Sequence, residues 1–160
     1  MADFAVARAP HVVAVVLWIG GVGFVTTVLL PSIRHSFPPA ERLAAFHAHE
    51  ARFARQARFT TLLAGASGFY MAWRLDAWDR FRSAGFWWMH AMVLVWLVFT
   101  LMLFVIEPLF LDRLLARRAS IAPEQTYRAV ERLHRALLAA SLLTVAGAVA
   151  GSAGANLFAW

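Results

Sequence analysis

Six histidines and no cysteine are what this 160-residue chain offers for holding a metal through nitrogen or thiolate sulfur. Two of them, His11 and His90, each stand a few residues inside the start of a long apolar segment. An ionisable side chain at such a position is costly, which makes it a candidate site residue. Two neutral imidazoles at matched depth would close an iron from both faces, and haem b is the ligand that best suits that donor set. Val15, Trp18 and Val22 share the helical face of His11, while Leu94, Leu97 and Leu101 share that of His90. Such walls suit a porphyrin, and Trp18 is counted with the cofactor-binding residues. Copper is the alternative metal, with Met89 and Met92 as added Cu(I) ligands. Disulfides, thiolate metal sites, iron–sulfur clusters and thiol nucleophiles are excluded.

A second pair lies further along. His49 is ten residues into a helix begun at Pro39, and His134 is eleven into one begun at Pro123. They are the candidates for a second haem or metal site, in competition with a merely solvated role beside Glu50, Arg52, Glu131, Arg132 and Arg135. His47 contends with His49 for the same place, and His35 reads as loop. Glu107, next to Pro108, serves either as a proton relay or as the partner of an arginine such as Arg58.

The elements that must position these residues are membrane helices. Hydrophobic residues make up 61% of the chain and its mean hydropathy is +0.63, against about 45–50% apolar content in soluble domains. About 20 helical residues cross a hydrocarbon core of about 30 Å. Ala9–Leu30, Phe59–Trp73, Phe86–Phe110 and Ala136–Phe158 are the predicted spans, the second being the shortest. The run VLVWLVFTLMLFVI from Val93 is apolar all round and lacks the alternation of a barrel strand. Asp3 precedes any arginine and the first apolar run is long, so that run reads as a permanent span rather than a cleaved signal.

All fifteen basic residues are arginine, and they are unevenly placed. Arg34, Arg42, Arg52, Arg55 and Arg58 lie between the first two spans; Arg113, Arg117, Arg118, Arg128, Arg132 and Arg135 lie between the last two. By the positive-inside rule both connections are cytoplasmic and both termini outside, as in a bacterial inner membrane with periplasmic termini. The net charge of +6 then reflects topology and contact with anionic lipid heads. No basic stripe interleaved with aromatics stands apart to bind nucleic acid.

Pro38–Pro39 and Pro123 open stretches that run unbroken into the second and fourth spans, so those helices extend into the cytoplasm at roughly 35 residues each. Leu43, Phe46, Glu50, Phe53 and Ala57 mark the inward stripe of the first extension. The expected fold is an all-α integral membrane protein: a single domain over 1–160, a four-transmembrane-helix bundle. Gly147 and Gly151 allow close helix approach, within the bundle or in a homodimer. Trp73, Trp78, Trp87, Trp88 and Trp160 fall at predicted outer edges, as an aromatic belt would.

The first span, HVVAVVLWIGGVGFVTTVLLP from His11, resembles the opening of the HemJ-type protoporphyrinogen oxidases and of the CopD-like copper-resistance membrane proteins. AFHAHEARFAR resembles a HemJ-type segment in which a glutamate precedes a basic residue, matched by Glu50 and Arg52. GFWWMHAMVL resembles a third segment, with His90 on the family's histidine. The resemblance implies a four-helix core binding haem b, with His11 as an axial ligand. Where the family carries a lysine this chain has Met92, and ERLHRA replaces the asparagine-glutamate-proline signature before the last span.

The function expected is that of a cytochrome-b-like protein of electron transfer or oxidoreduction: a bis-His haem on His11 and His90 at the outer side, and a second on His49 and His134 at the inner side in the stronger form. A quinol, a porphyrin-type molecule or a redox protein would be its partner. Copper handling and protoporphyrinogen oxidation are the alternatives; no catalytic residue is named.

Overall fold

The computed structural model describes residues 2–155. Trp160 and the last residues of the expected fourth span lie outside them. Helix α1 (Ala2–Phe24) passes through a π-helical turn at Val25–Leu29 into α2 (Leu30–Ser36). A turn leads to α3 (Arg42–Arg74), and two 3-10 turns, Ala77–Arg82 and Ala84–Phe86, lead to α4 (Trp87–Leu101). A π-helical segment, Met102–Leu111, carries that rod on into α5 (Asp112–Ile121), and α6 (Pro123–Ser152) completes the order. Among the described residues there is no strand.

Local chemistry accounts for much of this. Pro123 sits in the first turn of α6, where its missing N–H costs nothing. α3 and α6 run 33 and 30 residues, close to the expected lengths. The connection expected after the third span is helical, because nothing from Asp112 to Ile121 breaks a helix before Pro123.

Among the described residues, three helices are long and apolar enough to cross a bilayer: Phe4–Ser36, Ala84–Leu111 and Pro123–Ser152. α3 falls short of that measure because Arg58 and Arg74 bound a charge-free run of only fifteen residues, which itself includes Thr60, Thr61 and Ser67. Its buried face carries Thr60, Thr61, Ala64, Gly65 and Ser67, while Phe59 and Trp73 are 68% and 62% exposed and Leu62 and Phe69 accompany them. The other apolar helices show the same outward hydrophobic face and inward hydroxyls. Val12, Val16, Phe24, Leu94, Leu143 and Val149 face outward, and Thr26, Ser141 and Thr144 are buried, each hydroxyl donating to the carbonyl four residues back. A contiguous apolar exterior, with hydroxyl and small residues among the buried ones, is the pattern of a chain whose solvent is hydrocarbon.

Small residues let aromatics seat between helices. Phe53 of α3 occupies the space beside Gly21, and the Trp96 ring of α4 lies over Gly65, with its indole N–H donating to the Thr61 carbonyl at 2.9 Å. Trp87 and Trp88 fill the places beside Gly147 and Gly151. That face, expected to serve a homodimer as readily as the bundle, is therefore occupied within the chain. Trp73 and Trp78 are exposed as a belt would be, whereas Trp87 and Trp88 are drawn onto α6.

At the arginine-rich end α2, α3 and α6 meet in a charged cluster. Arg34 reaches Glu131 at 2.8 Å and Glu124 at 3.4 Å, Arg42 pairs with Glu124, and both guanidinium groups lie about 6 Å from the Tyr127 ring centroid. The fully buried Tyr127 donates its hydroxyl to the Leu30 carbonyl at 2.8 Å. Replacing Tyr127 by phenylalanine removes that buried bond, and the expected loss is about 1–2 kcal/mol, read from unfolding in mixed detergent–SDS micelles by tryptophan fluorescence.

Candidate functional site

His11 lies against α3, because Val15, Trp18 and Val22 on its helical face turn toward the bundle. Its Nδ1 is 2.9 Å from the Ala64 carbonyl and 3.1 Å from Ser67 Oγ, and its ring touches the open side of Gly68. Ser67 donates to Leu63 at 2.5 Å, so it accepts from His11. A carbonyl only accepts, so Nδ1 carries the proton and Nε2 keeps its lone pair.

His90 is placed differently. It is exposed; its Nε2 donates to the Phe81 carbonyl at 2.8 Å and its ring sits edge-on to Phe81. Leu94, Leu97 and Leu101, which share its face, are all exposed, because α4 turns Met89, Trp96 and Phe99 inward instead. The hydrogen-bond partners of His11 and His90 do not overlap, and the leucines expected to wall a porphyrin look outward. The structure does not bring these two faces together.

What it does assemble lies toward the arginine-rich end. A chamber of 240 Å³ runs from Trp18, Val22 and Phe99 past Phe46 and Phe53 to His47, Glu50, Glu107 and Arg118, with His134 in its wall. A larger vestibule of 740 Å³ adjoins it, floored by alanines of α3 and α5 and sharing His47, Glu50 and Glu107 with the chamber. His134 donates from Nδ1 to the Val130 carbonyl at 2.9 Å and packs edge-on to Phe46 at 5.5 Å. Its Nε2 is left with a lone pair, and the bond at Nδ1 fixes the ring in the manner of metal-ligating histidines.

His47 lies 5.9 Å from Phe46 on the same chamber, and its Nδ1 is 3.9 Å from Glu50. His49, expected to pair with His134, is exposed and donates to its own helix at Ala45, 2.7 Å away. It stands on the far flank of the inward stripe Leu43, Phe46, Ala54 and Ala57, and His47 stands on the near one.

Glu107 pairs with Arg58 at 3.1 Å, one of the two roles expected for it. The backbone explains why. In the π-helical segment each N–H bonds the carbonyl five residues back, and Pro108 has no N–H to give to Leu103. Arg58 Nε donates to that same Leu103 carbonyl at 3.1 Å while its Nη2 holds Glu107.

Leu114, Leu115 and Arg118 of α5 also line the chamber. Sequence reasoning passed over them because they fall in a connection rich in arginine. Their spacing with Leu111, at three, four and seven residues, is the signal that would have found them.

Trp18 lines the chamber with its indole N–H buried and, among the described residues, without an acceptor. No three histidine, aspartate or glutamate side chains converge as a set for a bare metal ion among the described residues. Haem, which brings four ring nitrogens of its own, asks the protein for one or two. Comparison with protein-family models, with curated proteins and with solved structures finds no match to this chain.

Proposed function

We propose that this chain is an integral membrane haem-b-binding protein of electron transfer, with the chamber at its cytoplasmic end as the haem site, where His134 would hold the group. The observation that carries the reading is the His134 ring: fixed at Nδ1 by the Val130 carbonyl, with Nε2 unbonded, in the wall of a largely apolar cavity. His47, on the same chamber, would be the second residue to hold it.

Several of the lining residues would suit the group. The deep end is apolar and edged by the unanswered indole N–H of Trp18, and the mouth carries Arg118, a partner for a carboxylate. Chamber and vestibule together fall within the roughly 300–1,000 Å³ of small-molecule sites. Bound there, haem would supply one-electron chemistry through its iron. The chain's own part is to orient the ligating imidazole, to keep water out with Trp18, Phe53 and Phe99, and to set the carboxylate of Glu50 at the mouth. A quinol reaching that mouth from the bilayer is the donor this arrangement suits.

α3 enters the proposal as the fourth membrane-spanning helix, its lipid face running from Phe59 to Trp73. With the arginine-rich end cytoplasmic by the positive-inside rule, both termini lie on the periplasmic side of a bacterial inner membrane.

The test is a reduced-minus-oxidised and pyridine-haemochrome spectrum of the detergent-purified protein beside His134→Ala, His11→Ala and His90→Ala. A b-type spectrum that collapses in His134→Ala and survives in His90→Ala is the expected result. Full haem content in His134→Ala with loss in His11→Ala and His90→Ala would return the site to the outer pair. Protein that takes up copper and shows no Soret band would overturn the haem reading in favour of copper handling.

A further inference from the structure

The three arginines of α6 stand outside the contacts between helices in the charged cluster, which Arg128 alone touches, through Glu124 of its own helix. Arg128, Arg132 and Arg135 are spaced by four and three residues, so they stand on one face, and all three are exposed. Arg128 is engaged by Glu124 at 2.9 Å, and Arg132 Nε leans on the Arg128 carbonyl at 3.4 Å. The guanidinium forks of Arg132 and Arg135 meet no carboxylate among the described residues. Arg34, Arg42 and Arg58, by contrast, are each paired across helices.

The same face continues, one and two turns on, through Ala139 to Leu142 and Leu143, which are 54% and 69% exposed. Eight residues separate Arg135 from Leu143, or about 12 Å of helix. That distance lies within one leaflet, half of a hydrocarbon core of about 30 Å. Cationic forks at one end of the face and bare hydrocarbon at the other repeat the order of headgroup and tail.

We propose that this face of α6 is a binding site for an anionic phospholipid, its phosphate held by Arg132 and Arg135 with Arg128 beside them, and an acyl chain lying along Leu142 and Leu143. Arginine suits the task because its planar fork meets a phosphate with two hydrogen bonds. An acidic peptide or a free phosphate would answer the arginines and leave the leucines uncovered; a phospholipid covers both. The site rests on α6 lying in a bilayer and is independent of haem binding.

Native mass spectrometry of the detergent-purified protein, titrated with phosphatidylglycerol or phosphatidylcholine, reads the preference directly. A basic residue near a membrane surface is worth about 1 kcal/mol, or roughly fivefold. Arg132→Gln/Arg135→Gln should therefore lower the phosphatidylglycerol preference by roughly tenfold or more, and Arg132→Lys/Arg135→Lys should keep part of it. Arg82→Gln, at the opposite end of the molecule, should leave it unchanged. Inorganic phosphate should not compete at millimolar concentration; full competition would reassign the arginines to a soluble anion and overturn the lipid. An undiminished preference in the double glutamine variant, with its tryptophan fluorescence as in the parent, would overturn the site. Carbonate extraction of the same membranes separates the outcomes, since protein that stays in the pellet yet shows no preference has lost the lipid site and kept the bilayer.

Discussion

Arg34→Leu should destabilise the protein by about 3–5 kcal/mol, the cost of leaving a buried charge without its partner. The charge in question is Glu131. Its side chain is 7% exposed, and Arg34, at 2.8 Å, is the cation it meets among the described residues. The contact is a close charge pair without an aligned hydrogen bond, since Arg34 Nη2 makes none that meets normal geometry. A pair of that kind has little directional bonding to lose when both members go. Arg34→Leu/Glu131→Leu should accordingly recover most of the loss, and Glu131→Gln, which keeps the shape and removes the charge, should cost less than Arg34→Leu. Glu131→Ala should also be milder, because Arg34 retains Glu124 at 3.4 Å and is about one-third exposed. Tryptophan-detected unfolding in decylmaltoside–SDS mixtures measures all four. An Arg34→Leu loss below about 1 kcal/mol would place the pair among exposed ion pairs and sink the argument.

Gly65→Ala and Gly20→Ala should shift stability in opposite directions. Alanine gains up to about 1 kcal/mol over glycine in a helix interior. At Gly20 a new methyl group meets nothing within 4 Å, so that gain stands alone. At Gly65 it would meet Trp96 Nε1 at 2.5 Å, and that indole is tied to the Thr61 carbonyl. Overpacking costs about 1–3 kcal/mol and the displaced hydrogen bond about 1 kcal/mol more. The sum outweighs the helical gain, leaving a net loss of about 1–3 kcal/mol. Thermal unfolding of both variants in one detergent checks the signs. Equal shifts in the same direction would mean that α3 and α4 do not approach each other as described. Gly65→Ala/Trp96→Phe supplies the control, because removing the indole N–H relieves part of the clash.

The sequence by itself determined that the chain is helical and that long apolar helices make it a membrane protein. Helix propensity, apolar length and the proline-led start at Pro123 are local properties, and no neighbour is needed to evaluate them; the start expected at Pro39 is displaced to Arg42, because a turn over residues 39–41 comes first. It determined as well that Glu107 had a relay or an arginine partner to choose between, since Arg58 and Glu107 both stand at the polar ends of apolar runs. Only the tertiary structure decided which histidines meet a cavity. His90 shares a face with three leucines, and sequence alone makes that face as good a porphyrin wall as the face of His11. Packing of Met89, Trp96 and Phe99 toward the core turns it outward.

His47 and His49 flank one inward stripe by similar angles, and α5 and α6, arriving from elsewhere in the chain, close a chamber on only one flank. Gly147 and Gly151 present the same case: a close-approach surface is written in the residues, but its occupant, Trp87 and Trp88 rather than a second copy, is a matter of what lies beside it. The physical reason is common to all three. Periodicity states which residues share a face of a helix, whereas the direction of that face is set by its neighbours and by segments such as Met102–Leu111, whose π-helical turns shift the phase of everything beyond them.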